Sequence, residues 1–326
     1  MLKLNAVLRI GDFQLKGLTD LDFTSSWDKL TTQGKLIIPR NITFEGQPII
    51  SPTTSLFDKG DPVVITAGYD KRVMPIFEGV VTMINPERPL VFDIEDYMWI
   101  LKQTNINKTY RSVTITELTN SFTEALSEVD LFKAEAISFV VTGERTLNKF
   151  RIPNETIAQV LERLRKLGVY SFFRGTVCYI GLAAVPAIQA THKILFEKNI
   201  IDDSLQYQIK DDIKVRIKVV IMSDSNEKFS VEVGPSTGAL RTYHDYNMSR
   251  DDAEAMANQL LEDFQYSGYT GKFTTFGEPF IQHGDIVELT SRTLPSRNGD
   301  YLVKSVQYRI GMNGYRQVVE LDKKIG

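Results

Sequence analysis

Hydrophobic and polar positions follow two rhythms along this chain, a period of two in some stretches and a helical period in others. The stretch 280–322 is the clearest case of the first. Ile286 and Val287 open one strand after the Gly284-Asp285 turn, residues 301–310 form a second after Asn298-Gly299, and residues 315–321 form a third after Asn313-Gly314. Asn-Gly between β-rich runs predicts a hairpin, because a type I′ turn needs positive φ at both central residues. The same order occurs near the N-terminus. FDKGDPVVIT at 57–66 matches FIQHGDIVELT at 280–290, with Gly60, Asp61, Val63 and Thr66 on Gly284, Asp285, Val287 and Thr290 without a gap. Phe57 aligns with Phe280 after one inserted residue. Strand candidates 76–84 and 90–94 follow the first copy, and both copies end in acidic residues, Asp93, Glu95 and Asp96 in one and Glu320 and Asp322 in the other. The pattern predicts two diverged copies of one β-module.

Elsewhere the rhythm changes. Residues 1–56 carry strand candidates at 7–10, 18–23 and 35–38, and the stretch 39–52, with Gly46, Pro48 and Pro52, is an excursion that either reaches a partner, as irregular loops of this length often do, or is a floppy loop. Residues 95–103 predict a short helix, with Met98, Trp99, Ile100 and Leu101 plugging the open end of a small barrel. Ile115, Leu118, Phe122, Leu126 and Val129 share one face of a helix over 113–129, opened by a Thr114/Glu117 capping box. A strand at 137–141 follows. Asn154 is expected to cap a second helix, with Ile157, Val160, Leu161, Leu164 and Leu167 as its buried stripe and Gly168 at C′. Residues 169–173 and 176–180 then form a hairpin over Arg174-Gly175. Strict alternation at 213–221 predicts a half-buried strand, with a turn at 224–227 and a return through Phe229, Val231 and Val233. Ser249 caps a third helix whose apolar face includes Ala253, Met256, Ala257, Leu260, Leu261 and Phe264, and Gly268 is expected to close it.

These elements predict an α+β, mainly β chain: two similar small antiparallel β-barrel modules with α+β insertions. The expected division is 1–103 for the first module, 104–200 for an inserted α+β domain, 201–237 with 269–326 for a discontinuous second module, and 238–268 for a helical insertion. On that division the strand at 213–221 pairs in the same barrel as the strands of 280–322.

Length and composition narrow the classes. A chain of 326 residues holds about two or three domains, and 42% apolar with 24% charged residues is ordinary globular usage. A net charge of −3 lacks the basic excess of a duplex-DNA reader. The one cysteine, Cys178, allows no internal disulfide and suits a reducing compartment. Lys3, Asn5 and Arg9 interrupt any apolar leader, and no run approaches the roughly 20 apolar residues of a membrane span, so neither a cleaved signal nor membrane insertion is expected.

Catalytic chemistry is sparse. His192, His244 and His283 lack metal-ligand spacing, and Cys178 lies in an apolar strand as a core thiol. His244-Asp245 is half of a Ser-His-Asp set, but no G-x-S-x-G accompanies it, and no phosphate-cradling glycine motif occurs. Four carboxylate pairs, Glu95-Asp96, Asp202-Asp203, Asp211-Asp212 and Asp251-Asp252, are the candidates for glycosidase chemistry, which works with two. Neighbours on a strand face opposite ways, and Asp251-Asp252 suits a helix N-terminus. No catalytic, metal or cofactor-binding residue is therefore assigned, and no cofactor is expected. Lys214, Arg216 and Lys218 share one side of a strand and are the candidate contact face for an acidic partner surface, against the alternative of a solvated, edge-protecting face.

Taken in order, 60–65 (GDPVVI), 77–81 (FEGVV), 93–102 (DIEDYMWILK), the helix and hairpin of 157–181, 298–303 (NGDYLV) and 314–317 (GYRQ) resemble the baseplate hub proteins of phage tails. That group includes late control protein D and the N-terminal part of contractile-injection spike proteins. The resemblance implies a structural role in the virion tail. Three chains would form a ring of six β-barrels joining a hexameric tail tube to a trimeric spike, with other baseplate proteins around it and DNA only as passing cargo. The protein would be made and assembled in the bacterial host cytoplasm. Because this sequence stops at Gly326, before the barrel and β-helix of spike fusions, the spike is expected on another polypeptide. Two further classes stay open: a carbohydrate-binding or carbohydrate-degrading tail protein, and a nucleic-acid-binding β-barrel protein.

Overall fold

The structure is a computed structural model that describes residues 3–39, 43–44, 47–48, 57–70, 72–85, 89–129, 136–181, 185–222, 228–246 and 248–325. Most of the 39–52 excursion and the 224–227 turn lie outside the described residues.

Alternating burial builds the strands. In Pro62–Tyr69, Val63, Ile65 and Ala67 turn inward, and in Gly314–Lys324, Tyr315, Gln317, Val319 and Leu321 do so. Two strand triplets result, Pro62–Tyr69, Arg72–Asn85 and Leu90–Glu95 in the first and Ile286–Thr290, Gly299–Gly311 and Gly314–Lys324 in the second. Within each triplet the strands pair antiparallel in sequence order.

The two expected barrels are not closed. Strand Asp20–Ser26 pairs with Gly299–Gly311 on one side and with Gln33–Ile38 on the other, and Gln33–Ile38 pairs with Leu90–Glu95. The triplets are thereby stitched into one open sheet of 13 strands among the described residues, which ends at Ile200–Asp203 and at Phe13–Lys16. The first triplet joins through its last strand, Leu90–Glu95. The second joins through its middle strand, Gly299–Gly311, whose residues 305–310 meet Asp20–Ser26 while residues 299–302 meet Ile286–Thr290, so that Ile286–Thr290 and Thr191–Leu195 branch off the sheet. A single core lies against this sheet and runs from Leu8 to Leu321. Phe23, on the joining strand, stacks on Tyr308 of the second triplet at 4.6 Å and meets Phe77 of the first edge-on at 5.1 Å.

A second core belongs to the α+β unit. Helix Ile115–Ser127 opens on the Thr114/Glu117 capping box, as its sequence predicts. Helix Ile157–Arg165 is capped not by Asn154 but by a Thr156/Gln159 capping box. Asn154 lies within strand Arg151–Thr156 and takes a left-handed backbone, φ +52°. Gly168, at φ +78°, ends the helix in a Schellman motif, with Val169 N–H donating to Leu164 O and Gly168 N–H to Arg165 O. The short helix Met98–Leu101 plugs no barrel. Its Met98, Ile100 and Leu101 are fully buried in this second core with Ile115, Leu118 and Phe122.

The third unit departs most from expectation. Strand Val215–Met222 pairs antiparallel with Lys228–Val233 and parallel with Ala239–Tyr246, and with no strand of 280–322. Its inward residues Val215, Ile217, Val219 and Ile221 pack on Ala253 and Ala257 of helix Arg250–Phe264, making a separate small core. Alternation fixes which face of a strand is buried, not which strand lies beside it. That helix ends at Phe264, with Gln265 N–H closing on Leu261 O, and Gly268 instead opens strand Gly268–Thr270. No helix among the described residues is long and apolar enough to cross a membrane.

Candidate functional site

The Gly-Asp turns at the head of each triplet are built alike, bond for bond. Both glycines need positive φ, +98° at Gly60 and +82° at Gly284. Gly60 N–H donates to Val81 O at 2.8 Å, and Gly284 N–H donates to Val303 O at 2.7 Å. Val81 N–H and Val303 N–H return bonds to Asp61 O and Asp285 O, each at 2.9 Å. Each aspartate carboxylate then accepts from the backbone N–H three residues before it, Asp58 at 2.8 Å and Gln282 at 2.9 Å. Phe57 and Ile281, both buried, occupy the same place without a gap, so the alignment of Phe57 with Phe280 is one residue off.

The surroundings of the two turns differ. Asp61 stays partly exposed, whereas Asp285 is only 2% exposed and sits where the second triplet, the strand Thr191–Leu195 and the hairpin of the α+β unit meet. Its carboxylate contacts His192 Nε2 at 2.9 Å and Arg174 Nη2 at 3.5 Å, and accepts from Ala190 N–H at 3.2 Å. Burial works to raise this carboxyl. The bonds from His192, Gln282 N–H and Ala190 N–H, with the Arg174 charge, outweigh it and hold the group below the usual carboxylate range. Arg174 also donates to His283 O at 2.8 Å and to Ile188 O at 2.9 Å. The strand Thr191–Leu195 runs parallel to Ile286–Thr290 from this anchor.

A polar chain continues inward. His283 Nδ1 shares a 2.8 Å hydrogen bond with Ser25 Oγ, Thr32 Oγ1 donates to Ser25 Oγ at 3.3 Å, and Thr32 N–H donates to Asp96 at 2.8 Å. Burial pushes the Asp96 carboxyl up to about 7, against the two backbone donors, Thr32 and Met98, that favour its charge. Burial, with the Arg174 charge beside it, pulls the His283 imidazole down to about 3. The adjoining cavity is about 60 Å³, room for water and not for a substrate. The Ser25–His283 pair is a buried strut rather than a nucleophile and its base, because Asp285 bonds His192 instead of His283.

The other candidates scatter. Glu95 pairs with Lys102, while Asp96 is buried behind it. Asp202 and Asp203 are exposed on an outer strand, Asp211 and Asp212 in a 3-10 turn, and Asp251 and Asp252 in the first turn of their helix, where Ser249 accepts from Asp252 N–H. Asp245 is buried and pairs with Arg145 at 2.8 Å, and the His244 side chain lies outside the described residues. Cys178 is buried, and burial raises its thiol. No cluster of metal-ligating groups occurs among the described residues. Of the sequence-predicted contact face, Arg216 and Lys218 converge on Glu232 of the next strand, at 3.7 and 2.7 Å, and Lys214 is an exposed residue just before theirs. The Asp285 anchor was not legible as such. Its only sequence signal is the Gly-Asp echo, which marks the turn and not its partners.

A comparison with protein-family models finds none that matches the chain, and a comparison with curated proteins finds no match. Solved structures do match, over nearly the whole chain. The tail protein from Neisseria meningitidis MC58 is 14% identical at TM-score 0.67, covering 99% of this chain and 96% of that one. The 43 kDa tail protein of prophage MuSo2 from Shewanella oneidensis is 16% identical at TM-score 0.66, covering 98% of each. The c3393 protein of E. coli is 9% identical at TM-score 0.60, covering 97% of this chain and 76% of that one. It is described as a component of the type VI secretion system with structural similarity to T4 bacteriophage tail proteins gp27 and gp5. The chain thus shares its fold with these solved proteins over nearly its whole length.

Proposed function

We propose that the protein is the structural hub of a phage or phage-like tail baseplate. Three chains form a ring of six similar β-modules that joins a hexameric tail tube to a trimeric spike. The observation that carries this reading is the pair of Gly-Asp turns with matched bonding, set in one continuous sheet. A repeated backbone scaffold gives each chain two related surfaces, and three chains placed head to tail about a three-fold axis present six. Their diverged surroundings leave the other side of the ring three-fold. The fold shared with tail proteins supports the same role. The module boundaries in this reading are redrawn from the sequence-based ones, with 213–264 as a unit appended to the second module. The protein works by assembly and not by catalysis; the four carboxylate pairs that the sequence offers the carbohydrate-degrading alternative lie apart, beside a lysine, on an outer strand, in a 3-10 turn and in the first turn of a helix. Imaging of tail particles with the chain labelled tests the role. Label at the tube–spike junction in three copies per tail is expected, and label along the tube or at fibre tips contradicts it. Purified protein should show background hydrolysis of glycans and peptidoglycan.

A further inference from the structure

A cleft of about 600 Å³ separates the α+β unit from the 213–264 unit, within the roughly 300–1,000 Å³ of ligand clefts. Strand Thr146–Asn148 forms one wall. On one edge it pairs with Ser112–Thr114, Leu147 opposite Val113. The ladder extends past both ends, where Ile115 N–H donates to Arg145 O at 3.1 Å and Lys149 N–H donates to Arg111 O at 2.8 Å. The main-chain groups of Arg145, Leu147 and Lys149 therefore face that partner. Successive residues of a strand alternate, so the N–H and C=O of Thr146 and Asn148 point the other way. Both residues are exposed, and no described strand or backbone group meets them there.

The cleft is also positively charged. Arg145, Lys149, Arg163 and Lys166 line it, against Asp245 and Asp252; Arg145 pairs with Asp245 and Arg163 with Glu155, so the lysines and the outer faces of the guanidinium groups carry the excess. The Arg163 guanidinium is held 4.6 Å over the Phe150 ring. Lys166 is exposed at the end of its helix.

We propose that this edge docks an extended acidic segment of a partner protein, which adds as a strand beside Thr146–Asn148. Edge N–H and C=O groups recognise a peptide backbone. The flanking cations select one that carries carboxylates. A lysine-flanked edge also discourages pairing with neutral strands, which narrows the partner to one bringing negative charge. About three to five residues, at roughly 3.3 Å each, would span the strand. The proposal does not depend on the hub reading.

The test uses the full chain and a fluorescent peptide of alternating Glu and Val, titrated by anisotropy at low salt. Saturable binding is expected, and Lys166→Glu should weaken it by about tenfold or more through like-charge repulsion. Asn148→Pro removes an edge N–H that the existing ladder does not use, and should weaken binding with the circular dichroism unchanged. If that variant fails to fold, the same peptide N-methylated at alternate amides decides the point, and it should not bind. No binding by the unmodified peptide overturns the proposal. So does equal binding by the N-methylated peptide or by a single-stranded oligonucleotide of equal charge, since charge alone would then suffice.

Discussion

Asp61 and Asp285 hold the same turn with the same main-chain bonds, yet one is partly exposed and the other is a buried anchor. Asp61 caps Asp58 N–H and lies beside Gly11. Asp285 adds His192, Arg174 and Ala190 N–H, and through them ties the α+β hairpin and a parallel strand to the second triplet. The comparison separates two things that repetition could conserve. The backbone scaffold is repeated; the side-chain surroundings are not. The difference lies in what packs against each turn: Gly11 and solvent at Asp61, the α+β hairpin and a parallel strand at Asp285.

The largest difference should come from the aspartates. Asp285→Ala leaves Arg174 and His192 without their buried carboxylate and should cost about 3–5 kcal/mol. Asp61→Ala removes a hydrogen bond at a partly exposed turn and should cost about 1 kcal/mol. Denaturant midpoints of the two variants check this, and equal losses would break the comparison.

The shared scaffold should respond equally instead. Gly60→Ala and Gly284→Ala each force a side chain into left-handed backbone and should each cost about 1–2 kcal/mol. Gly60 carries a further contact, since an added Cβ would meet the Trp99 ring edge at 3.3 Å. A large loss at one glycine with none at the other would show that only one turn is structural.

The smallest effects lie in pH dependence, where two buried groups at the junction oppose each other. Asp96 has a folded value of about 7 against 3.8 unperturbed, so the folded chain holds its proton longer and stability falls as pH rises from about 4 to about 7. His283 has a folded value of about 3 against 6.5, so stability is full above about 6.5 and is lost as pH falls toward 3. Between about 4 and 6.5 the two slopes largely cancel. Asp322, raised by burial to about 6, adds a slope of the Asp96 sign, so thermal midpoints of the native chain should rise modestly on acidification across this range. Relative to the native chain they should fall on acidification in Asp96→Asn, and rise on acidification in His283→Gln.

Local features of the fold were legible where a few neighbouring residues decide them. Thr114/Glu117, Ser249 and Gly168 act as their spacing implies. The second helix shows how close alternatives compete. Asn154 and Thr156 are both capping residues, and only the backbone course of strand Arg151–Thr156 selects Thr156. The final hairpin turns on Met312-Asn313 with Gly314 at φ +80°, one residue earlier than the Asn-Gly rule places it. Non-local pairing was not legible. The alternation of 213–221 is the same whether its neighbours are 228–246 or 280–322, and nothing in Thr191–Leu195 marks it as a parallel partner of Ile286–Thr290. The anchor at Asp285 depends on that pairing, so it was hidden for the same reason.

The mass of the assembled particle in solution tests the hub reading most directly. Light scattering on the purified chain, over a range of concentrations, should give three times the 37.0 kDa chain mass, with particle images showing three-fold symmetry and six similar lobes. A chain that stays at 37.0 kDa up to the highest concentration, or that closes into a two-fold dimer, would contradict it.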